Sequence, residues 1–195
     1  MSEPFAKTMC VLLSGKAGVG KTTSANILKG LFATIYGYNS YIGHFAEGVK
    51  GVARHAGWNG LKDARGRKLL QQIGGAGREY DINNWCSWLF DRELPSQLQF
   101  PFDIVIVDDW RFPNESLYAR SLPTYNVFTV KIVAPEREIL KGTPEYNDAS
   151  ETALDDAKVV YDALLFNQGS MEALQKNCLE LSEIFVNLNP KWKED

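Results

Sequence analysis

The chain has 195 residues and a mass of 21.9 kDa, enough for one domain of ordinary size or one with a modest insertion. Apolar residues make up 45 % and charged residues 23 %, which excludes a disordered, fibrous or collagen-like chain. Twenty-one Lys and Arg stand against 24 Asp and Glu, a net charge of −3, so the surface as a whole is not that of a nucleic-acid binder, though a local basic pocket is still allowed.

The elements follow in chain order. The first residues, Met1-Ser2-Glu3-Pro4, lack the basic start of a signal peptide, and the apolar run Met9–Leu13 is too short for a membrane span. Thr8–Leu13 reads as a short buried strand ending in Ser14-Gly15, and Lys21–Ile35 as a helix with a 3-4 apolar spacing, closed by Gly37. Ser40–Phe45 is a second strand. Ala46–Ala56 and Lys62–Ile73 read as helices, the latter stopped by Gly74, Gly75 and Gly77. Asp81 is placed to cap the next helix, in which Trp85, Trp88 and Leu89 share a face. Asp103–Val107 is continuously β-branched, as suits a parallel strand covered on both sides. A short helix over Phe112–Ser121 carries Pro113 in its first turn. Val127–Val133 is a strand, 134–158 is polar and punctuated by proline and glycine, Asp162–Phe166 is a last strand, and Ser170–Leu188 is an amphipathic helix. Strands alternating with helices predict an α/β chain with a doubly wound sheet, with no repeat and no linker that splits it. Cys10, Cys86 and Cys178 are odd in number and widely spaced, which predicts reduced thiols in a cytoplasmic protein, without disulfide or zinc.

The strongest chemical signal is Gly15-Lys16-Ala17-Gly18-Val19-Gly20-Lys21-Thr22, a full match to G-x-x-x-x-G-K-[ST], followed by Thr23. Small residues let the backbone curl until its N–H groups face phosphate oxygens, and the helix beginning at Lys21 adds the positive end of its dipole. Lys21 is placed to reach the β- and γ-phosphates, and the Thr22 hydroxyl to ligate Mg²⁺. Lys16 is either a second loop cation or a solvated side chain. The strand through Val107 runs into Asp108-Asp109, a carboxylate at the carboxyl edge of a sheet where Mg²⁺ is held and ligands bind. Either aspartate can serve the metal; if the strand runs on, alternation sends them to opposite sides, and Asp108 is favoured for the metal and Asp109 for the substrate side.

A kinase needs a second anion site and cations that close over the transferred group. Lys50, Arg54, Arg65, Arg67, Lys68 and Arg78 form a basic stretch near Trp58 and Trp85, suited to a monophosphate and a base, or else to solvated helices around core tryptophans. Arg111 leaves the strand end in the expected crevice. Arg137, Lys141 and Ser150-Glu151 lie where a lid belongs, with Arg137 read as a phosphate clamp or as an exposed arginine.

The chain resembles the bacteriophage deoxynucleoside monophosphate kinases and their P-loop relatives over roughly Thr8 to Leu188. The resemblance is carried by Leu13–Thr23, Phe45-Ala46-Glu47-Gly48-Val49-Lys50, Arg67–Gly74, Arg78–Trp85, Asp108–Glu115, Ser150–Asp155 and Asn167–Leu174. It implies a three-layer α/β/α P-loop NTPase fold with a parallel five-stranded sheet, an acceptor-binding insertion at about 46–100 and a lid at about 134–158. It also implies transfer of the γ-phosphoryl group of ATP, with Mg²⁺, to a deoxynucleoside 5′-monophosphate. Homodimers are common in the family, the location is cytoplasmic (the host's, if phage-encoded), and neither a membrane nor direct nucleic-acid binding is expected. Catalytic roles fall to Lys21, Arg111 and Arg137. ATP falls to Gly15, Lys16, Ala17, Gly18, Val19, Gly20, Lys21, Thr22 and Thr23, and the metal to Thr22 and Asp108. The acceptor falls to Phe45, Lys50, Arg67, Arg78, Trp85, Asp109, Arg111 and Glu151. Relatives commonly carry a second lid arginine, and a histidine before Ser-Glu; here Lys141 follows Arg137, and Asp148-Ala149 precede Ser150. The competing readings are a P-loop kinase for another small molecule, and a P-loop ATPase or switch with no acceptor.

Overall fold

The structure is a computed structural model that describes residues 7–155 and 159–188. The N-terminal tetrapeptide and the last part of the 134–158 stretch, residues 156–158, lie outside the described residues. Five parallel strands, β1 (Thr8–Ser14), β2 (Ser40–Gly43), β3 (Ile104–Val107), β4 (Tyr125–Val133) and β5 (Ala163–Phe166), form one sheet in the order β2-β3-β1-β4-β5. β1 is central, and every residue from Met9 to Ser14 is buried, as a strand flanked and covered on both sides requires.

Alternation along β1 divides the core. Met9, Val11 and Leu13 pack with Ile104, Ile106, Val130 and Ile132 against α1 (Lys21–Tyr36), through Ala25, Leu28 and Phe32, and α7 (Met171–Leu188), through Leu174, Cys178, Leu181 and Phe185. Cys10 and Leu12 face the other side, where α5 (Pro113–Ser121) packs on β4. Helices on both faces of a parallel sheet, with the Gly-rich loop between its central strand and α1, make this the three-layer α/β/α P-loop NTPase fold. The loops leaving β1 and β3 run to helices on opposite faces, so a crevice opens between those neighbouring strands at their carboxyl ends. Among the described residues the three cysteines are free and buried, and no helix is long and apolar enough to cross a membrane.

The described chain clusters into two compact units, and His44–Phe100 is the second. It holds α2 (Ala46–His55), α3 (Ala64–Tyr80) and the one-turn α4 (Asn84–Ser87), which continues into a π-helical turn over Trp88–Glu93. Here the structure corrects two expectations. The helix expected to stop at Gly74 runs to Tyr80. Gly77 is a packing surface, since a Cβ there would stand 2.4 Å from Trp85 Cζ2, and Trp85 Nε1 donates to the Gly74 carbonyl at 3.0 Å. Asp81 does not cap α4 with its side chain; its carboxylate accepts from the Asn83 N–H at 2.8 Å and its carbonyl from the Asn84 N–H at 2.9 Å, closing a turn ahead of the helix. Asp63 is the side-chain cap of this unit, accepting from the Gly66 N–H at 2.7 Å at the start of α3.

Two neighbouring glycines should therefore respond oppositely. Gly77→Ala drives a methyl into the Trp85 ring and is expected to cost about 1–3 kcal/mol. Gly75→Ala meets nothing within 4 Å and should gain about 0.5–1 kcal/mol from helix propensity. Urea denaturation of both variants beside wild type measures the difference.

Candidate functional site

The phosphate loop is held by what surrounds it. Gly18 and Gly20 have φ of 89° and 96°, a left-handed conformation that L side chains rarely adopt. There is also no room for one: a Cβ on Gly18 would lie 2.4 Å from the Arg137 carbonyl, and a Cβ on Gly20 2.4 Å from Asn167 Nδ2. The Ile139 N–H donates to the Ala17 carbonyl at 3.1 Å, and Asn167 Nδ2 donates to the Val19 carbonyl at 2.8 Å. The segments after β4 and after β5 thus clamp opposite ends of the loop. α1 begins with no acidic residue in its first turn, which leaves its positive end for an anion.

Lys21 folds back onto its own loop, with Nζ donating to the Gly15 carbonyl at 2.7 Å and the Lys16 carbonyl at 2.9 Å. Burial, and then the Arg111 charge nearby, lower its pKa to about 8, against the raising effect of Glu151, Asp108 and Asp109. Thr22 Oγ1 donates to Asp108 Oδ2 at 2.6 Å, so the two residues expected to hold a metal touch directly. Asp108 is buried at 4 % exposure and Asp109 is half-buried. A hydroxyl and a carboxylate side by side at the start of α1 are hard oxygen donors that fit Mg²⁺.

Arg111 is fixed by its own sequence run. Glu115, 5 % exposed, reaches back from the first turn of α5, and its Oε2 accepts from the Arg111 N–H at 2.8 Å and the Phe112 N–H at 3.0 Å. Trp110 locks the same bend, its Nε1 donating to the Phe112 carbonyl at 2.9 Å and its N–H to the Leu13 carbonyl at 3.2 Å. The Arg111 guanidinium then donates to the Ser150 carbonyl at 2.8 Å and to the Glu151 carboxylate. Both acceptors belong to α6 (Ala149–Thr152). Glu151 also accepts from the Ala17 N–H of the loop at 2.8 Å. Lys16 donates to the Glu151 carbonyl at 2.6 Å and to the Asp155 carboxylate. A cavity of about 110 Å³ opens among these groups, walled by Ser14, Trp110, Lys131 and Tyr161. Arg137 is exposed, and its Nη2 donates to the Gly169 carbonyl at 2.5 Å.

The core unit therefore brings together Lys16, Ala17, Lys21, Thr22, Asp108, Arg111 and Glu151. The remaining expected acceptor residues belong to the 44–100 unit. There Phe45 is buried edge-on against Phe90. Lys50 pairs with Glu47 at 2.9 Å, a carboxylate shared with Arg54 at 2.6 Å. Arg67 is exposed, its Nε donating to the Lys62 carbonyl at 3.0 Å, and the Arg78 guanidinium lies beside Gly74. Trp85 is buried, with its ring against Gly48 and Gly77. Sequence reasoning gave no role to Asn167, Asp155 or Glu115. The signal for Glu115 was its place three residues after Phe112 with Pro113 between, the spacing of a side chain that reaches back over a helix start.

No protein-family model and no curated protein matches the chain. Among solved structures it is similar to the Mycobacterium tuberculosis APS kinase in complex with AMPPNP and APS, at 13 % identity and a TM-score of 0.48 over 93 % of this chain and 99 % of that one. It is also similar to the Acinetobacter baumannii shikimate kinase in complex with shikimate, at 13 % identity and a TM-score of 0.47 over 93 % and 94 %. A gluconokinase from Sinorhizobium meliloti aligns at 12 % identity and a TM-score of 0.41 over 94 % and 95 %. Likenesses this distant carry no argument about substrate.

The state of Lys21 sets a pH dependence for anion binding. Below pH 8 the group is already charged and binding is proton-neutral there. Above pH 8 the free chain carries it neutral, so a phosphate that needs the ammonium must bind together with a proton. Affinity for such a phosphate ligand should fall by up to about tenfold per unit between pH 8 and 10. Calorimetric titration at pH 9 should show a buffer-dependent enthalpy, the mark of proton uptake, that Lys21→Met lacks.

Proposed function

We propose that the chain is an ATP-dependent kinase that phosphorylates deoxynucleoside 5′-monophosphates to diphosphates. The observation that carries this reading is the convergence, at one sheet edge, of the loop N–H of Ala17, Lys21, the Thr22–Asp108 oxygen pair and Arg111. That is a triphosphate cradle with a place for a metal and, beside it, a rigidly mounted cation for a second anion.

The loop from Gly15 to Thr23 binds the ATP phosphates through its N–H groups and the α1 dipole. Thr22 and Asp108 would hold Mg²⁺, which would supply neutralisation of the negative charge on the polyphosphate. Lys21 exchanges the Gly15 and Lys16 carbonyls for phosphate oxygens. The acceptor is already anionic near neutral pH, so no side chain has to remove a proton. One of its phosphate oxygens forms the new bond to the γ-phosphorus while the bond to the β–γ bridging oxygen breaks, and ADP leaves with that oxygen. Arg111, and Arg137 from the segment after β4, offset the charge on the transferring group. Acceptor contacts fall to Asp109, Arg111 and Glu151 of the core unit and to Phe45, Lys50, Arg67, Arg78 and Trp85 of the 44–100 unit. Lys50 serves by trading Glu47 for phosphate, and Trp85 by shape, since its N–H is held by Gly74. The deoxynucleotide acceptor rests on the resemblance of these residue runs. The kinase chemistry rests on the crevice.

Coupled ADP release with ATP, Mg²⁺ and each common deoxynucleoside and nucleoside monophosphate tests the acceptor. Turnover that depends on a deoxynucleoside monophosphate is expected. Turnover only with another small molecule makes the chain a different kinase, and acceptor-independent ADP release makes it an ATPase. Lys21→Met should retain the wild-type melting temperature and lose about 10²-fold or more in kcat; near-normal turnover would remove the loop from the chemistry.

A further inference from the structure

Glu151 holds groups that an incoming phosphate would use. One carboxylate oxygen accepts from the Ala17 N–H at 2.8 Å, and the other accepts from the Arg111 guanidinium. The side chain is 5 % exposed, so these contacts lie in a largely dry site, where a charged pair is worth more than in water. The backbone around it is held as well. The Glu151 carbonyl accepts from Lys16 at 2.6 Å, the Ser150 carbonyl accepts from Arg111 at 2.8 Å, and Asp155, one turn on, takes the Lys16 ammonium, which lies 5.0 Å from the centre of the Tyr146 ring. α6 itself is started by Asp148, whose carboxylate accepts from the Ser150 N–H at 2.8 Å.

A carboxylate offers two oxygens in a plane, the pattern with which an Arg guanidinium and a loop N–H also meet two oxygens of a phosphate. The short helix thus seats an anion on the loop. The exchange on ligand binding is unequal. A single carboxylate brings one negative charge and two oxygens. A terminal phosphate brings nearly two charges and three oxygens, and it can also meet Lys21. A monoanion brings no more than Glu151 already supplies.

We propose that Glu151 is the specificity-determining residue of this anion site, an internal occupant that only a ligand more highly charged than a carboxylate displaces. The inference rests on the nucleotide reading above and adds to it. ATP binding is a competition with Glu151, and the displaced carboxylate becomes available to the acceptor. Displacing Glu151 lowers the affinity of every phosphate, and a polyphosphate, which meets more of the loop than a single phosphate does, offsets that loss best.

Calorimetric titration of inorganic phosphate, pyrophosphate and MgATP into wild type, Glu151→Ala, Glu151→Gln and Glu138→Gln tests this. Glu138 borders the same cavity and accepts from the Tyr146 hydroxyl at 2.8 Å, so it removes one negative charge without touching Ala17 or Arg111. Glu151→Ala should bind phosphate and pyrophosphate about tenfold more tightly than wild type, with Glu151→Gln between them. Glu138→Gln should stay within about twofold of wild type. Thermal unfolding checks that each variant is folded, and Glu151→Gln decides the matter if the alanine variant is not. Unchanged or weaker phosphate binding in the Glu151 variants overturns the proposal, as does an equal gain in Glu138→Gln, which would make the effect one of net charge. Wild-type chain that binds neither pyrophosphate nor MgATP overturns the nucleotide reading and this inference with it.

Discussion

The structure depends on one constraint: a curled backbone whose N–H groups face inward needs an anion, and needs support from every side to stay curled. Gly18 and Gly20 supply the left-handed conformation, but conformation alone leaves a loop loose. The Arg137–Ile139 backbone closes one side and Asn167 the other, and both approach to within the space a Cβ would take. These clamps come from the segments after β4 and after β5, so the shape of the loop rests on contacts distant in sequence. The central position of β1, buried on both faces, fixes the loop at the carboxyl edge, where Asp108 and Arg111 arrive from the neighbouring β3.

The same constraint explains how a chain of net charge −3 manages an anion site. Its cations are held in pairs with carboxylates: Lys16 with Asp155, Arg111 with Glu151, Lys50 with Glu47. Pairing keeps buried or half-buried positive charge from repelling itself, and Lys21, whose pKa is lowered first by burial and then by the Arg111 charge, bears what repulsion is left. Ligand binding then becomes exchange of one anion for another rather than the filling of an electropositive hole. Such a site favours ligands by charge and by oxygen count, which suits polyphosphates.

Much of this was legible in the sequence, because the signals were local. β1 and β3 announced themselves by unbroken apolar runs, β4 by a β-branched and aromatic stretch broken only by Asn126 and Lys131, and the loop by a motif whose glycines have a single physical purpose. The Asp108–Glu115 run pointed to a strand end, a charged crevice and a helix start, all of which the structure contains. What could not be read were features set by distant packing. Gly74, Gly75 and Gly77 look like a helix stop until the Trp85 ring is seen to pack on Gly77 and its N–H to reach the Gly74 carbonyl. Asn167 has no local signature, since its purpose is a carbonyl 148 residues away. The pairing of Glu151 with Ala17 and Arg111 joins three separated segments, and no periodicity links them.

The central claim is that the groups gathered at this sheet edge transfer a phosphoryl group and do not merely bind or hydrolyse a nucleotide. Phosphorus NMR of a mixture of the chain with ATP, Mg²⁺ and a deoxynucleoside monophosphate tests it most directly, because it follows where the γ-phosphorus goes. The acceptor's single phosphate resonance should give way to the paired resonances of a deoxynucleoside diphosphate, in step with ADP and without inorganic phosphate. Growth of the inorganic phosphate signal beside an unchanged acceptor would contradict it.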